Sequence, residues 1–185
     1  MSLYNIEVLE VDENKRKKIS IDLLLKKQIV DIGRTGNVLW LKFANPKIDN
    51  TAEQIEADHI FTLHIFCDCR MIDQEKREIV FGSSDLYDNK AGTEWSEDFD
   101  WNVQGANQYD EQVKKWLAAN NGVYVEKIKF NVLRDLRLLL SNGHVFEIIV
   151  TFTSEGECWR FFEEDSKRDH FVVTGKGLII EYEAE

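Results

Sequence analysis

Proline is nearly missing from this chain, cysteine is sparse, and no apolar run is long enough to span a bilayer. A single proline among 185 residues, with 43% hydrophobic and 11% aromatic content, excludes a Pro-rich disordered polymer, because the chain has apolar surface to offset its ordering entropy. The three cysteines, Cys67, Cys69 and Cys158, are odd in number, unlike the even, dense frameworks of small secreted domains, so a reduced, cytoplasmic setting is expected. A transmembrane helix needs roughly 18 or more consecutive apolar residues, and none is expected here. The opening MSLYNIEVLEVDENKRKK has no cationic stretch followed by an apolar one, so it does not read as a secretory leader. Positive charge is also short: 23 basic against 34 acidic side chains leave −11. That excess repels phosphate backbones. The one basic run, Lys15 to Lys18, is offset by Glu7, Glu10, Asp12, Glu13 and Asp22, so nucleic-acid binding is not expected. The same field attracts cationic partners and speeds their encounter.

A length near 185 suits a single domain, 1–185, that buries roughly 70% of its unfolded surface, with residues 1–18 as a loosely packed leading segment. ISIDLLLKKQ, Ile19 to Gln28, carries good helix formers behind Ser20 or Asp22 as caps and predicts a short helix. QIVDIGR and NVLWLKF, joined through Thr35-Gly36-Asn37, predict a hairpin. HIFTLHIFCDCRMI alternates as one strand, with Phe61, Leu63, Ile65, Cys67 and Cys69 on a core face and Thr62, His64, Phe66 and Asp68 opposite. Asp73 to Lys76 then turn the chain into REIVFGSS. YDEQVKKWLAANNG predicts a helix at about 109 to 119, with Asp110 as its cap and a Val113, Trp116, Leu117 stripe. Six short strands follow, VYVEKIKFNV, DLRLLLS, HVFEIIVTF, ECWRFF, HFVVTG and LIIEYE. Ser141-Asn142-Gly143 predicts a type I′ turn between the second and third of them. The expected fold is α+β: a strongly bent antiparallel β-sheet, barrel-like or a sandwich, with about two helices.

Residues 84–107, SDLYDNKAGTEWSEDFDWNVQGAN, lose all periodicity, and a compact domain rarely keeps so long a connection without structure or purpose. Between Ala91 and Val113 stand Glu94, Glu97, Asp98, Asp100, Asp110 and Glu111 with no Lys or Arg, interleaved with Trp95, Phe99, Trp101 and Tyr109. Carboxylates and ring faces both hold cations, so Glu94, Trp95, Glu97, Asp98, Phe99, Asp100, Trp101 and Tyr109 form the candidate surface for a basic protein. The competing expectation is a lid, the aromatics folding back over an open end of the sheet.

Other constellations are weaker. Across His64, Cys67 and Cys69 the pattern H-x-x-C-x-C suggests soft-metal ligation, but on one strand His64 faces away from both thiols, so no metal is expected. Ser83 or Ser84 with Asp85 and His64 or His170 supplies the ingredients of nucleophilic catalysis without G-x-S-x-G, and a Ser-Asp turn explains them. Gly33–Gly36 and Gly175–Gly177 lie between strands and lack the helix N-terminus of a phosphate loop. No cofactor is expected. Trp159 and Phe161 share one strand face, Arg160 and Phe162 the other, and His144 follows a turn where exposure is expected. An alternative pocket at the sheet mouth would use Trp40, His64, Phe66 and Arg160, as a small-ligand barrel or a hydrolase-like enzyme.

In the runs GRTGNVLWLKF, LHIFCDCRMI, IVFGSSDLY, FDWNVQGANQYD, DLRLLLSNGHVFEI and CWRFF with HFVV, from about Gln28 to Val173, the chain resembles a family of uncharacterised small bacterial proteins. The resemblance implies an α+β domain and, since similar acidic proteins stand beside bacterial toxins as immunity proteins, a non-enzymatic immunity-like role. No catalytic residue follows from it.

Overall fold

The computed structural model describes residues 19–46, 59–90, 93–94, 96–166 and 168–181. The expected loose segment 1–18, its basic run, and Trp95 lie outside them.

β-Branched and aromatic residues alternate with polar ones through most of the chain, and they form strands where they do. In chain order these are β1 (Gln28–Thr35), β2 (Val38–Ala44), β3 (Phe61–Ile65), β4 (Asp68–Asp73), β5 (Glu78–Gly82), β6 (Val125–Phe130), β7 (Leu136–Leu140), β8 (His144–Ile149), β9 (Glu157–Glu163), β10 (His170–Thr174) and β11 (Leu178–Glu181), with helix α1 (Gln108–Ala119) between β5 and β6. They build two antiparallel sheets, ordered β1-β2-β3-β9-β10-β11 and β5-β4-β8-β7-β6. Among the described residues the architecture is thus mostly β, with one α-helix and short 3-10 turns. The start of β1 forms an isolated bridge, Gln28–Tyr124, with the residue before β6, but the sheets do not close, so the barrel-like alternative is corrected to two separate sheets.

The core follows from the alternation. Leu41, Leu63 and Phe161 of the first sheet, Met71, Leu138 and Phe146 of the second, and Tyr109, Val113 and Trp116 of α1 belong to one buried cluster. Each such side chain contributes roughly 1.5–3 kcal/mol by leaving water. The expected single strand at HIFTLHIFCDCRMI is two strands, one in each sheet. The Phe66 N–H still donates to the Cys158 carbonyl at 2.8 Å, and beyond it the chain leaves β9 and enters β4 beside β8. The face assignment survives the crossing: Phe61, Leu63, Ile65, Cys67 and Cys69 are all buried.

Three local expectations are corrected. The helix over Ile19 to Gln28 is only a 3-10 turn, Ile21–Leu24, capped by Ser20. Lys26 turns left-handed at φ 65° and its N–H donates to Val125 O at 2.8 Å, so pairing with β6 replaces a second helical turn. At α1 the cap is Asn107, whose side chain accepts from the Asp110 N–H, which leaves the Asp110 carboxylate for another partner. At Ser141-Asn142-Gly143 only Gly143 has positive φ, 82°. A type I′ turn needs two such residues, so this hairpin uses a three-residue loop with glycine in the left-handed position.

Candidate functional site

The aperiodic stretch 84–107 is held at several points. Ser83–Tyr87 forms a 3-10 turn, Asn89 bridges Asn107, and Asn107 Nδ2 donates to Trp101 O at 2.9 Å. The strongest anchor is Arg34 of β1, a guanidinium only 1% exposed. Its Nε and Nη2 each donate to the Asp110 carboxylate at 2.8 Å, Nη2 also reaches Trp101 O and Val103 O at 3.0 Å, and Nη1 reaches Gly36 O at 3.1 Å. Gly105 N–H adds a 2.7 Å bond to Asp110. A buried cation persists only when paired and hydrogen-bonded, and the carbonyls of the loop complete that pairing. Arg34 was not among the candidate residues, although it falls on the inward side of β1 with Ile29 and Ile32. A basic residue at a core position is the signal that marks it.

Around this anchor the candidate residues separate. Glu94, Glu97, Asp98 and Asp100 are exposed. Phe99 and Trp101 are half-buried, and the Trp101 ring meets Tyr87 edge-on with centroids 5.2 Å apart. Tyr109 is 0% exposed and stacks edge-on against Phe81, which removes it from the surface set. Burial raises its hydroxyl pKa well above the usual value. Asp110 also leaves the exposed set, since Arg34 takes its carboxylate. Glu94, Glu97, Asp98 and Asp100 thus stand exposed just before the backbone that Arg34 holds at Trp101 and Val103, with Trp101 half-buried.

The second candidate set comes together in part. Register places Trp40 opposite His64 and His64 opposite Arg160 across β2, β3 and β9. Trp40 Nε1 donates to Asp31 at 2.8 Å, and its ring lies over Gly33, where a Cβ would approach to 2.5 Å. His64 meets the Phe162 ring edge-on, and Phe162 stacks on His170. Arg160 grips Glu157 with Nε at 2.6 Å and Nη2 at 2.5 Å, and its Nη1 lies 3.0 Å from His170 Nδ1 and 3.2 Å from Glu181. The Glu157 hydrogen bonds raise the Arg160 pKa. Burial, then the Arg160 charge, lowers that of His64. Phe66 stands apart, past the end of β3, and lines a hollow with Ser83 and Ser84.

The serines, Asp85 and the thiols are engaged or enclosed. Ser83 Oγ accepts from the Cys69 N–H of β4 at 3.2 Å, and Asp85 accepts from the Gly82 N–H at 2.8 Å, so the one ties the turn to β4 and the other caps it. All three cysteines are buried and unpaired, and burial pushes the Cys67, Cys69 and Cys158 thiols upward, away from the reactive thiolate. Among the described residues no three His, Cys, Asp or Glu side chains gather as metal ligands, and no helix is long and apolar enough to cross a membrane. His144, expected to be exposed, is largely buried instead: Trp116 Nε1 donates to its Nδ1 at 2.9 Å, and its Nε2 lies 3.7 Å from Asp73. No family model, curated protein or solved structure matches the chain.

Proposed function

We propose that this protein is a non-enzymatic binding protein that docks a basic protein partner through the acidic surface of Glu94, Glu97, Asp98 and Asp100, as an acidic immunity protein engages a cationic toxin. The observation that carries the reading is the Arg34 anchor. A string of exposed acids on a mobile loop would lose ordering entropy on binding, whereas backbone already tied through Trp101 O, Val103 O and Asp110 brings its charges partly organised. Half-buried Phe99 and Trp101 supply ring surface beside the acids. Three unpaired, buried thiols accord with a reducing compartment.

Fluorescence anisotropy with a labelled Lys/Arg-rich peptide tests the proposal against an uncharged peptide of equal length. Affinity for the basic peptide should fall steeply as salt rises, and the triple variant Glu97→Ser, Asp98→Ser, Asp100→Ser should weaken it roughly tenfold or more. Equal binding by the triple variant and the parent would sink the reading.

A further inference from the structure

The chain carries −11 overall, yet the five-stranded sheet presents a row of cations on one face. Arg70 of β4 lies opposite Glu147 of β8, Glu147 opposite Arg137 of β7, and Arg137 opposite Lys129 of β6. Directly paired residues share a face. Theirs is the face turned away from buried Cys69, Met71, Leu136, Leu138, Phe146 and Ile148, which alternate with them along the strands. With Asn131 and Asp135 these four side chains line a shallow hollow of about 240 Å³.

Hydrogen bonding in this hollow is one-sided. The acceptors are occupied: Glu147 Oε2 receives Arg70 Nε at 2.7 Å, and Oε1 forms an ion pair with Arg137 Nε at 2.7 Å. Asp135 Oδ1 receives the Val150 N–H at 2.7 Å, and Oδ2 receives Asn131 Nδ2 at 2.9 Å. The donors are not. Both guanidiniums are engaged through Nε, no hydrogen bond runs from their Nη atoms to any described residue, and the Arg70 and Arg137 side chains remain 41% and 40% exposed. A single Glu–Arg pair would suffice for cross-strand stabilisation. Two arginines around one glutamate leave excess positive charge and spare planar donor groups, the geometry that recognises phosphate and carboxylate oxygens.

We propose that the Arg70, Glu147, Arg137 and Lys129 row is a binding site for a small oxyanion, the phosphate or carboxylate group of a low-molecular-weight ligand. Glu147 acts as the positioning residue, holding both guanidiniums by Nε so that their Nη groups face the hollow. The site is separate from the acidic loop and stands whether or not that loop docks a partner.

The test is an NMR titration of the arginine Nε–Hε and backbone amide signals with sodium phosphate and, in a parallel arm, sodium citrate, each at ionic strength held constant with chloride. Saturable shifts at Arg70, Arg137 and Glu147 are expected, and the anion with the lower half-saturation concentration identifies the ligand group. Arg137→Gln should weaken binding roughly tenfold, with Arg137→Lys intermediate because it keeps charge and loses the fork. Glu147→Gln, whose amide leaves one oxygen for two Nε groups, should also weaken binding by releasing one guanidinium, and it decides the matter should Arg137→Gln fail to fold. Shifts that stay linear in both anions, or that are unchanged in a folded Arg70→Gln, Arg137→Gln protein, would overturn the site.

Discussion

At the scale of single residues, buried charge and half-buried imidazoles dominate. Arg34 is fully enclosed, and its partner Asp110 is only 13% exposed. Arg34→Met should therefore destabilise the protein by about 3 kcal/mol or more, because the Asp110 carboxylate and the loop carbonyls lose their donor while remaining largely desolvated. Urea unfolding reads the loss, and a change under about 1 kcal/mol would show that water replaces the guanidinium. The histidines set a pH dependence. Burial is the main cause that lowers the pKa of His144 and of His64 from the ordinary 6.5. Asp73 opposes it and Lys76 assists at His144; Arg160 and Lys42 assist while Glu157 and Glu164 oppose at His64. The unfolded chain thus binds more protons than the native one just below pH 6.5, so stability should decline as pH falls from there, until the folded imidazoles also protonate. Denaturant melts at about pH 7.5 and about pH 5.5 measure the slope, and His144→Asn, which keeps an acceptor for the Trp116 indole, should flatten it.

At the scale of elements, α1 and the loop before it depend on one cap. Asn107 accepts from the Asp110 N–H through Oδ1 and donates to Trp101 O through Nδ2, both at 2.9 Å. Asn107→Ala should cost about 1–2 kcal/mol, and it should speed amide exchange at Asp110 and Glu111 more than at Trp116. Uniform exchange along α1 would place the loss elsewhere. The same elements show what the sequence makes legible. Hairpins were readable because alternation and turn residues are local: Gly36-Asn37 joins β1 to β2, and Gly175–Gly177 joins β10 to β11. The opposite faces of Trp159 with Phe161 and of Arg160 with Phe162 follow from the same period. The short helix after Ser20 was misread because its end is set by β6, about a hundred residues away, whose Val125 carbonyl takes the Lys26 N–H. His144 was misread for a similar reason, since its cover comes from Trp116 on α1. Within the candidate surface the exposed acids carried their own signal, whereas the burial of Tyr109 and the anchoring by Arg34 depend on contacts between segments far apart in sequence.

For the whole molecule, the question is whether two unclosed sheets unfold together. Trp159 of β9 answers through its position. It is 0% exposed, stacks on Phe171 of its own sheet at 5.6 Å, meets Phe130 of β6 edge-on at 5.9 Å, and donates from Nε1 to Arg134 O at 3.2 Å. One indole thus joins the six-stranded sheet to the β6–β7 edge of the other, and Phe130 also meets Phe171 at 6.1 Å. The buried cluster that draws on both sheets and α1 leaves neither sheet with a separate core. Removing either would expose the inner face of the other, so the two should lose structure in one transition. Far-UV and near-UV circular dichroism should therefore give coincident melting curves, with calorimetric and van't Hoff enthalpies equal. Trp159→Ala should cost about 3–5 kcal/mol, the range for a large aromatic removed from a core. It should shift that single curve as a whole, because the lost contacts belong to both sheets. A variant that splits the melt into two steps, one sheet persisting after the other has gone, would show that each sheet folds on its own.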